Sequence, residues 1–175
     1  APTLGLFGRQ SKGLPRVHFF EKHPKALQLR RRHCDNLLKT HTMSRGLDNC
    51  NPGNIRRSRV NYRGERHPST DAAFKQFESM EWGYRAMFVL LDTYRKRYGL
   101  NTLREMIMRY APPEENHTAL YISAVSDMTG IRPDEVLDTH DRRVMVPIVA
   151  AMSRVENGRA ANRAEVEKGW ELTGF

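Results

Sequence analysis

From Tyr84 to Tyr98 the apolar residues Tyr84, Met87, Phe88, Leu91, Tyr94 and Tyr98 recur at helical intervals, with Arg85, Asp92, Arg95 and Lys96 largely elsewhere. That period lays one apolar stripe along a helix, and Gly99 stands where a stop is expected just past its end. A second helix is signalled by Thr102 and Glu105 at capping-box spacing, with Leu103, Met106, Ile107 and Tyr110 following on one face. Two prolines in "APPEEN" block its continuation. A third helix is expected from Asn116 or Thr118 to Met128, burying Leu120, Ile122 and Val125 unevenly and stopping at Gly130. In "RPDEV" Pro133 occupies a first-turn position and predicts a short helix. The run "RRVMVPIVAAMSRVENG" is apolar at Val144, Ile148, Ala151, Met152 and Val155; Pro147 either kinks this helix or defers its start, and Gly158 closes it. A last short helix, capped by Asn162 with Glu165 three residues on, carries Val166 and Trp170.

Upstream the texture differs. "RVNYRGE" and "AFKQFES" have strand-like character and are separated by His67, Pro68, Ser69 and Thr70, which predicts a small hairpin. Phe74 and Phe77, three apart, depart from strict alternation in the second segment. The fold class that follows is predominantly α (α+β): a small extended or hairpin region and then five or six short helices. Before that region lies "RGLDNCNPGNIRRS", residues 45–58, outside any periodic segment. It reads as a compact turn in which Gly46 and Gly53 can take positive φ and asparagine side chains bond nearby backbone. Such a turn can close off a domain or point amides at a ligand.

Charge changes the picture in one respect. The chain has 175 residues, 39% of them hydrophobic, and a formal net charge of +9, enough apolar material for one ordinary domain. Residues 1–42 hold 9 Lys/Arg against 2 Asp/Glu, whereas residues 43–175 hold 20 against 18. The basic character belongs to the N-terminal stretch. Two domains of unequal kind are therefore expected: a basic, disordered extension over 1–42, upstream of a natural start at Met43, and a folded domain over 43–175. With Arg30, Arg31 and Arg32 at its centre, the extension also reads as an arm for nucleic acid or phosphate surfaces, provided that it is present and functional. No run reaches the roughly 18 apolar residues of a membrane span, and the extension lacks the apolar segment of a signal peptide. Cys34 and Cys50 match no metal or redox spacing and read as free thiols. His67, His117 and His140 share no ligand spacing, so neither metal nor cofactor is expected.

The ordered series "RGLDNCNPGNIRRS", "YRGE", "FKQFESMEWGYRAMFVLLDTY", "GLNTLREMIMRYAPPEENHTALYISAVSDMTG" and "VENG" closely resembles a phage and prophage virion structural protein family, with the pattern R-G-x-x-N-x-N-P-G-N-I-R followed by W-A-P-P-x-E-N. The match covers about residues 44–170. Departures from the family pattern are Asp48 for Arg, Cys50 for Asn, and Tyr62 and Tyr110 for Trp. More distantly, the order of asparagine-rich turn, W/Y-x-G, F-x-x-F and helices is similar to the central part of lysozyme-like glucosaminidases. The resemblance implies a lysozyme-like helical domain over 43–175 in a virion structural protein. It also implies other virion proteins or peptidoglycan as partners, and a place in the virion or, before assembly, in the cytoplasm of the bacterial host. In the glucosaminidases a catalytic Glu sits on a helix just before the asparagine-glycine turn. The corresponding "LLKTHTMSRGL" contains no carboxylate.

Cleaving a glycosidic bond needs a protonated carboxylic acid at the leaving oxygen and usually a second carboxylate. The candidates are Glu115, Asp71, Glu78, Glu65 and Glu156. Glu115 leads as general acid, since "PPEEN" holds it in a rigid turn beside Asn116 where burial would raise its pKa. Its alternative role is a helix N-terminal acid, worth about 0.3–1 kcal/mol against the helix dipole. Asp71 or Glu78 would serve as base or stabiliser, Glu65 would face a cleft or stand as an exposed charge, and Glu156 reads as a helix-end residue. For ligand binding the candidates are Asn49, Asn51, Asn54, Arg56 and Asn116, with Tyr62 and Trp82 as sugar-stacking rings. Three functional readings stand open: a virion structural protein that contacts cell-wall glycan, a virion-associated peptidoglycan hydrolase using a Glu general acid, and nucleic-acid binding through the basic extension.

Overall fold

The computed structural model describes residues 44–175. The basic extension 1–42, Cys34 and a start at Met43 lie outside the described residues. Six helices occur among the described residues: α1 Arg45–Asp48, α2 Met80–Tyr98, α3 Leu103–Tyr110, α4 Thr118–Thr129, α5 Arg142–Asn157 and α6 Arg163–Glu171. The chain is predominantly helical, as its periodicity predicts.

The stripe on α2 forms the centre of the core. Tyr84, Met87, Phe88, Leu91 and Tyr94 are buried, whereas Tyr98 at its far end is exposed. Gly99 takes φ 67° and its N–H bonds to Arg95 O, closing α2 as a left-handed cap does. α2 packs against α6, α5 and α3, and α4 packs against α5 and α3. Gly169 lets α6 approach closely, since a Cβ there would stand 2.6 Å from the Tyr84 Cβ. Phe88 meets Trp170 edge to face at 5.1 Å. The capping box of α3 is complete: Glu105 N–H donates to Thr102 Oγ1, and the Glu105 carboxylate accepts from the Thr102 N–H. α5 is capped by Asp141 and carries Pro147 inside it, so the proline does not defer the helix.

Several elements depart from the sequence reading. The expected hairpin is reduced to single antiparallel bridges, Arg56–Phe74 and Glu65–Phe77. The backbone of segment 73–78 is shared between two neighbours instead of one. Lys75 N–H donates to Ile55 O and Phe77 N–H to Asn49 O, while Arg66 N–H donates to Gln76 O and Glu78 N–H to Gly64 O. The segment therefore threads between the asparagine turn and residues 64–66, with a single isolated bridge on each side. "RPDEV" forms a turn, not a helix, because Pro133 O accepts from Arg104 N–H, and Val136 bridges Thr102 at the start of α3. Leu120 is 49% exposed, against the expectation of burial, while Ile122 and Val125 lie inside. Asp92 lies off the apolar stripe yet is buried, accepting from Thr139 Oγ1 at 2.7 Å and paired with Lys96 and His140.

Candidate functional site

The turn that precedes the extended region is organised by its own asparagines. Asn51 is fully buried; its Oδ1 accepts from Ile55 N–H at 2.9 Å, and its Nδ2 donates to Ile55 O and Lys75 O. Asn49, also buried, donates to Asp71 Oδ2 and accepts from Gln76 Nε2. Positive φ falls on Cys50 (48°) and Asn54 (49°), not on the two glycines expected to take it. Gly46 and Gly53 serve close approach instead. A Cβ on Gly46 would lie 2.7 Å from the side-chain oxygens of both Asn54 and Asn157, and one on Gly53 would meet Tyr110 and Met87.

The carboxylates predicted from sequence lie in different surroundings. Asp71 receives Arg45 in a two-point ion pair at 2.6 and 2.7 Å and also accepts from Ala73 and Phe74 N–H. The Arg45 guanidinium, then these backbone donors, hold its carboxyl well below the usual carboxylate range. Glu65 pairs with Lys75 Nζ at 2.8 Å, the two side chains 6% and 1% exposed, and accepts from Tyr62 N–H. Glu115 is not buried as expected: its side chain is 62% exposed and pairs with Arg56 at 2.8 Å. The loop after the two prolines stays at the surface, where an acid and an arginine meet in water. Glu78 is exposed and lines, with Glu65, Arg66, His67, Thr70 and Gln76, an open groove of about 500 Å³.

The ring and amide candidates are likewise engaged within the chain. Trp82 has Arg63 and Arg85 at 5.7 and 5.9 Å from its ring centre, and Gly64 sits so close that a Cβ would reach 2.2 Å from the indole. Tyr62 is half-buried with its ring edge-on to Phe77 and Lys75 Nζ 5.5 Å away; burial pushes its phenol up to about 12. Asn116 donates to Pro112 O at the surface.

A different acid meets the turn. Glu156, in the last turn of α5, accepts from Asn54 Nδ2 at 2.9 Å and from Tyr121 Oη at 3.0 Å. Burial pushes its carboxyl above the ordinary glutamate value, against the lowering effect of these two hydrogen bonds. Its neighbour Asn157 bolts the helix end to the turn: Oδ1 accepts from Ser44 Oγ at 2.5 Å, and Nδ2 donates to Pro52 O at 2.7 Å. Tyr110 at the end of α3 donates to Gly53 O. Burial, reinforced by the Glu156 charge, holds the phenols of Tyr110 and Tyr121 well above their ordinary value. The turn, the ends of α3 and α5 and the start of α4 thus converge on one carboxyl. From its place in the sequence Glu156 reads only as a helix-end residue. The available signal is an acid in the last helical turn before Gly158, where the dipole disfavours negative charge.

No family model matches the chain. It is similar to Protein P5 of Pseudoalteromonas phage PM2, 35% identical over 132 residues that span 73% of this chain and 81% of that protein.

Proposed function

Starting from the membership of this chain in the family of Protein P5 of Pseudoalteromonas phage PM2, we propose that it is a virion component whose domain over residues 43–175 is lysozyme-like and contacts cell-wall glycan. The observation that carries the reading is the meeting of Asn54 with Glu156. In the lysozyme-like glucosaminidases that the sequence distantly resembles, a catalytic Glu sits on a helix just before an asparagine-glycine turn, and the segment just before this turn lacks a carboxylate. Here α5 brings a carboxyl to the turn from a distant part of the chain. Two residues beyond Asn54 in the chain, Arg56 pairs with Glu115 at the surface, hydrogen-bonding groups of the kind that bind sugar hydroxyls.

The test is cosedimentation of the full chain with purified peptidoglycan, together with its detection in purified phage particles. Retention on the glycan, reduced by soluble glycan fragments and by Arg56→Ala, supports the reading. A chain that stays in the supernatant, or that is missing from particles, overturns it.

A further inference from the structure

The positive charge of the folded domain is concentrated in one stretch. Residues 56–67 read "RRSRVNYRGERH", five arginines with a single acid, whereas the rest of residues 43–175 holds 15 Lys/Arg against 17 Asp/Glu. All five arginines are exposed. The acid among them does not offset their charge at the surface, since Glu65 is 6% exposed and pairs inward with Lys75. Of the neighbouring acids, Asp71 takes Arg45 and Glu115 takes Arg56, while Glu78 shares the open groove with Arg66 without pairing with it. Among the described residues no carboxylate pairs with Arg57, Arg59, Arg63 or Arg66. A further cation joins them from α2: Arg85 and Arg63 stand 5.9 and 5.7 Å from the centre of the Trp82 ring. Arg85 donates Nε to Leu172 O and likewise has no carboxylate partner among the described residues. Burial, and then the Arg63 charge, lower its pKa from the ordinary arginine value, as like charge standing close does.

These cations are carried on a fixed backbone. Arg57 N–H donates to Ala73 O at one end of the stretch and Arg66 N–H to Gln76 O at the other. Between them Lys75 Nζ donates to Val60 O at 2.8 Å, and Tyr62 N–H donates to Glu65 Oε2 at 3.0 Å. A strip held in this way presents its guanidinium groups together, without the entropy cost of ordering a loose loop on binding. Unpaired guanidinium forks match the oxygens of phosphate groups. The other surroundings narrow the kind of phosphate. Val60 is the one large apolar side chain of the stretch that stands exposed, too little to enter lipid tails as an interfacial segment does. The rings of Tyr62 and Trp82 are engaged with Phe77 and with the two arginines, so they do not serve as platforms for unpaired bases. A duplex, with its bases stacked inside and its phosphates outward, suits a strip of cations without free rings.

We propose that Arg57, Arg59, Arg63 and Arg66, with Arg85 beside them, form a binding surface for the phosphate backbone of double-stranded nucleic acid. The surface belongs to the folded domain and is separate from the basic extension with its Arg30, Arg31 and Arg32. It holds the duplex through phosphates and carries no reading of base sequence. With four to five phosphates neutralised, the logarithm of affinity falls against the logarithm of salt with a slope of about −3 to −5 from this surface.

The experiment follows the fluorescence anisotropy of a labelled DNA duplex titrated with the full chain at salt from about 50 to 200 mM. The same titration is made with the triple variant Arg59→Ala/Arg63→Ala/Arg66→Ala and with Arg30→Ala/Arg31→Ala/Arg32→Ala, with thermal melting of each sample. The expected result is a folded 59/63/66 variant whose affinity is at least about tenfold weaker and whose salt slope is smaller by about 3. The extension variant keeps salt-dependent binding, and the parent binds two duplexes of unrelated sequence alike. Unchanged affinity and slope in the folded 59/63/66 variant overturn the proposal. So does loss of all binding in the extension variant, because the extension then accounts for the contact. A preference above about tenfold for one duplex sequence overturns it as well, since phosphate contacts carry none. Sedimentation with vesicles of phosphatidylserine and phosphatidylcholine completes the test: capture by vesicles with no duplex binding assigns the strip to a membrane surface and overturns the proposal. Should the triple variant fail to melt cooperatively, Arg59→Glu decides, with a slope smaller by at least about 1 expected and an unchanged slope overturning the proposal.

Discussion

Asn54 and Glu156, 102 positions apart in the chain, meet through a 2.9 Å hydrogen bond from the Asn54 amide to Glu156 Oε2. The contact joins a turn of irregular backbone to the last turn of a long helix. It gives the asparagine-rich stretch a second role: the Asn54 amide faces a carboxyl, while Asn51 holds backbone groups in place and Asn49 bonds the side chains of Asp71 and Gln76.

Asn51 carries the largest structural burden in that stretch. Its replacement by Ala removes the partner of the buried Ile55 N–H and Lys75 C=O, each orphaned group costing about 1–3 kcal/mol. Asn51→Ala is expected to lose about 2–4 kcal/mol in urea denaturation. A loss below about 1 kcal/mol would show that the turn rearranges to satisfy them.

Gly83 reverses an ordinary rule. Ala within a helix is normally better than Gly by about 1 kcal/mol, but a Cβ at Gly83 would stand 2.1 Å from the backbone oxygen of Cys50. Gly83→Ala should therefore destabilise by about 1–3 kcal/mol, since the turn must move away from α2. Equal or greater stability in a melting experiment would mean that this close approach is not needed.

The buried pair Glu65–Lys75 invites a double-mutant cycle. Glu65→Gln alone leaves the Lys75 ammonium enclosed with only Val60 O as a remaining bonded partner, at a cost of about 3–5 kcal/mol. The double variant Glu65→Gln/Lys75→Met should recover most of that loss. Additive losses in chemical denaturation would rule out a coupled pair.

Asp71 and Glu156 should shift stability with pH in opposite directions. The Asp71 value is lowered on folding, so its contribution is complete above the ordinary aspartate value of 3.8 and is lost as pH falls below it. Asp71→Asn removes that contribution, and its deficit against the parent should shrink from pH 6 to pH 2.5. The Glu156 value is raised, so its contribution is complete below the ordinary value of 4.5 and is lost as pH rises above it. Glu156→Gln should gain on the parent between pH 4 and pH 8. Urea melts across this range measure both; a deficit or gain that does not vary with pH contradicts the corresponding assignment.

Much of the helical part is legible in the order of residues alone. The α2 stripe, the Thr102–Glu105 capping box and the glycine stops at Gly99, Gly130 and Gly158 are local signals, since each depends on residues within one or two turns. Where local signals mislead, a partner distant in sequence takes over. The expected hairpin keeps only the Glu65–Phe77 bridge, while the other side of segment 73–78 bonds to the asparagine turn, and "RPDEV" gives way to the start of α3.

The candidate site divides along the same line. Sequence by itself determined which residue types were at hand: the asparagine turn, the acids, the aromatic rings and the helices to carry them. The tertiary structure alone decided which acids meet arginine or lysine, which stand in water and which one reaches the turn. Protonation and reach depend on burial and on neighbours that lie far apart in the chain. Periodicity reports only which side of its own helix a residue occupies. Glu115 and Glu156 both sit at the ends of helical segments in the sequence, yet one pairs with Arg56 at the surface and the other rests against Asn54 and Tyr121.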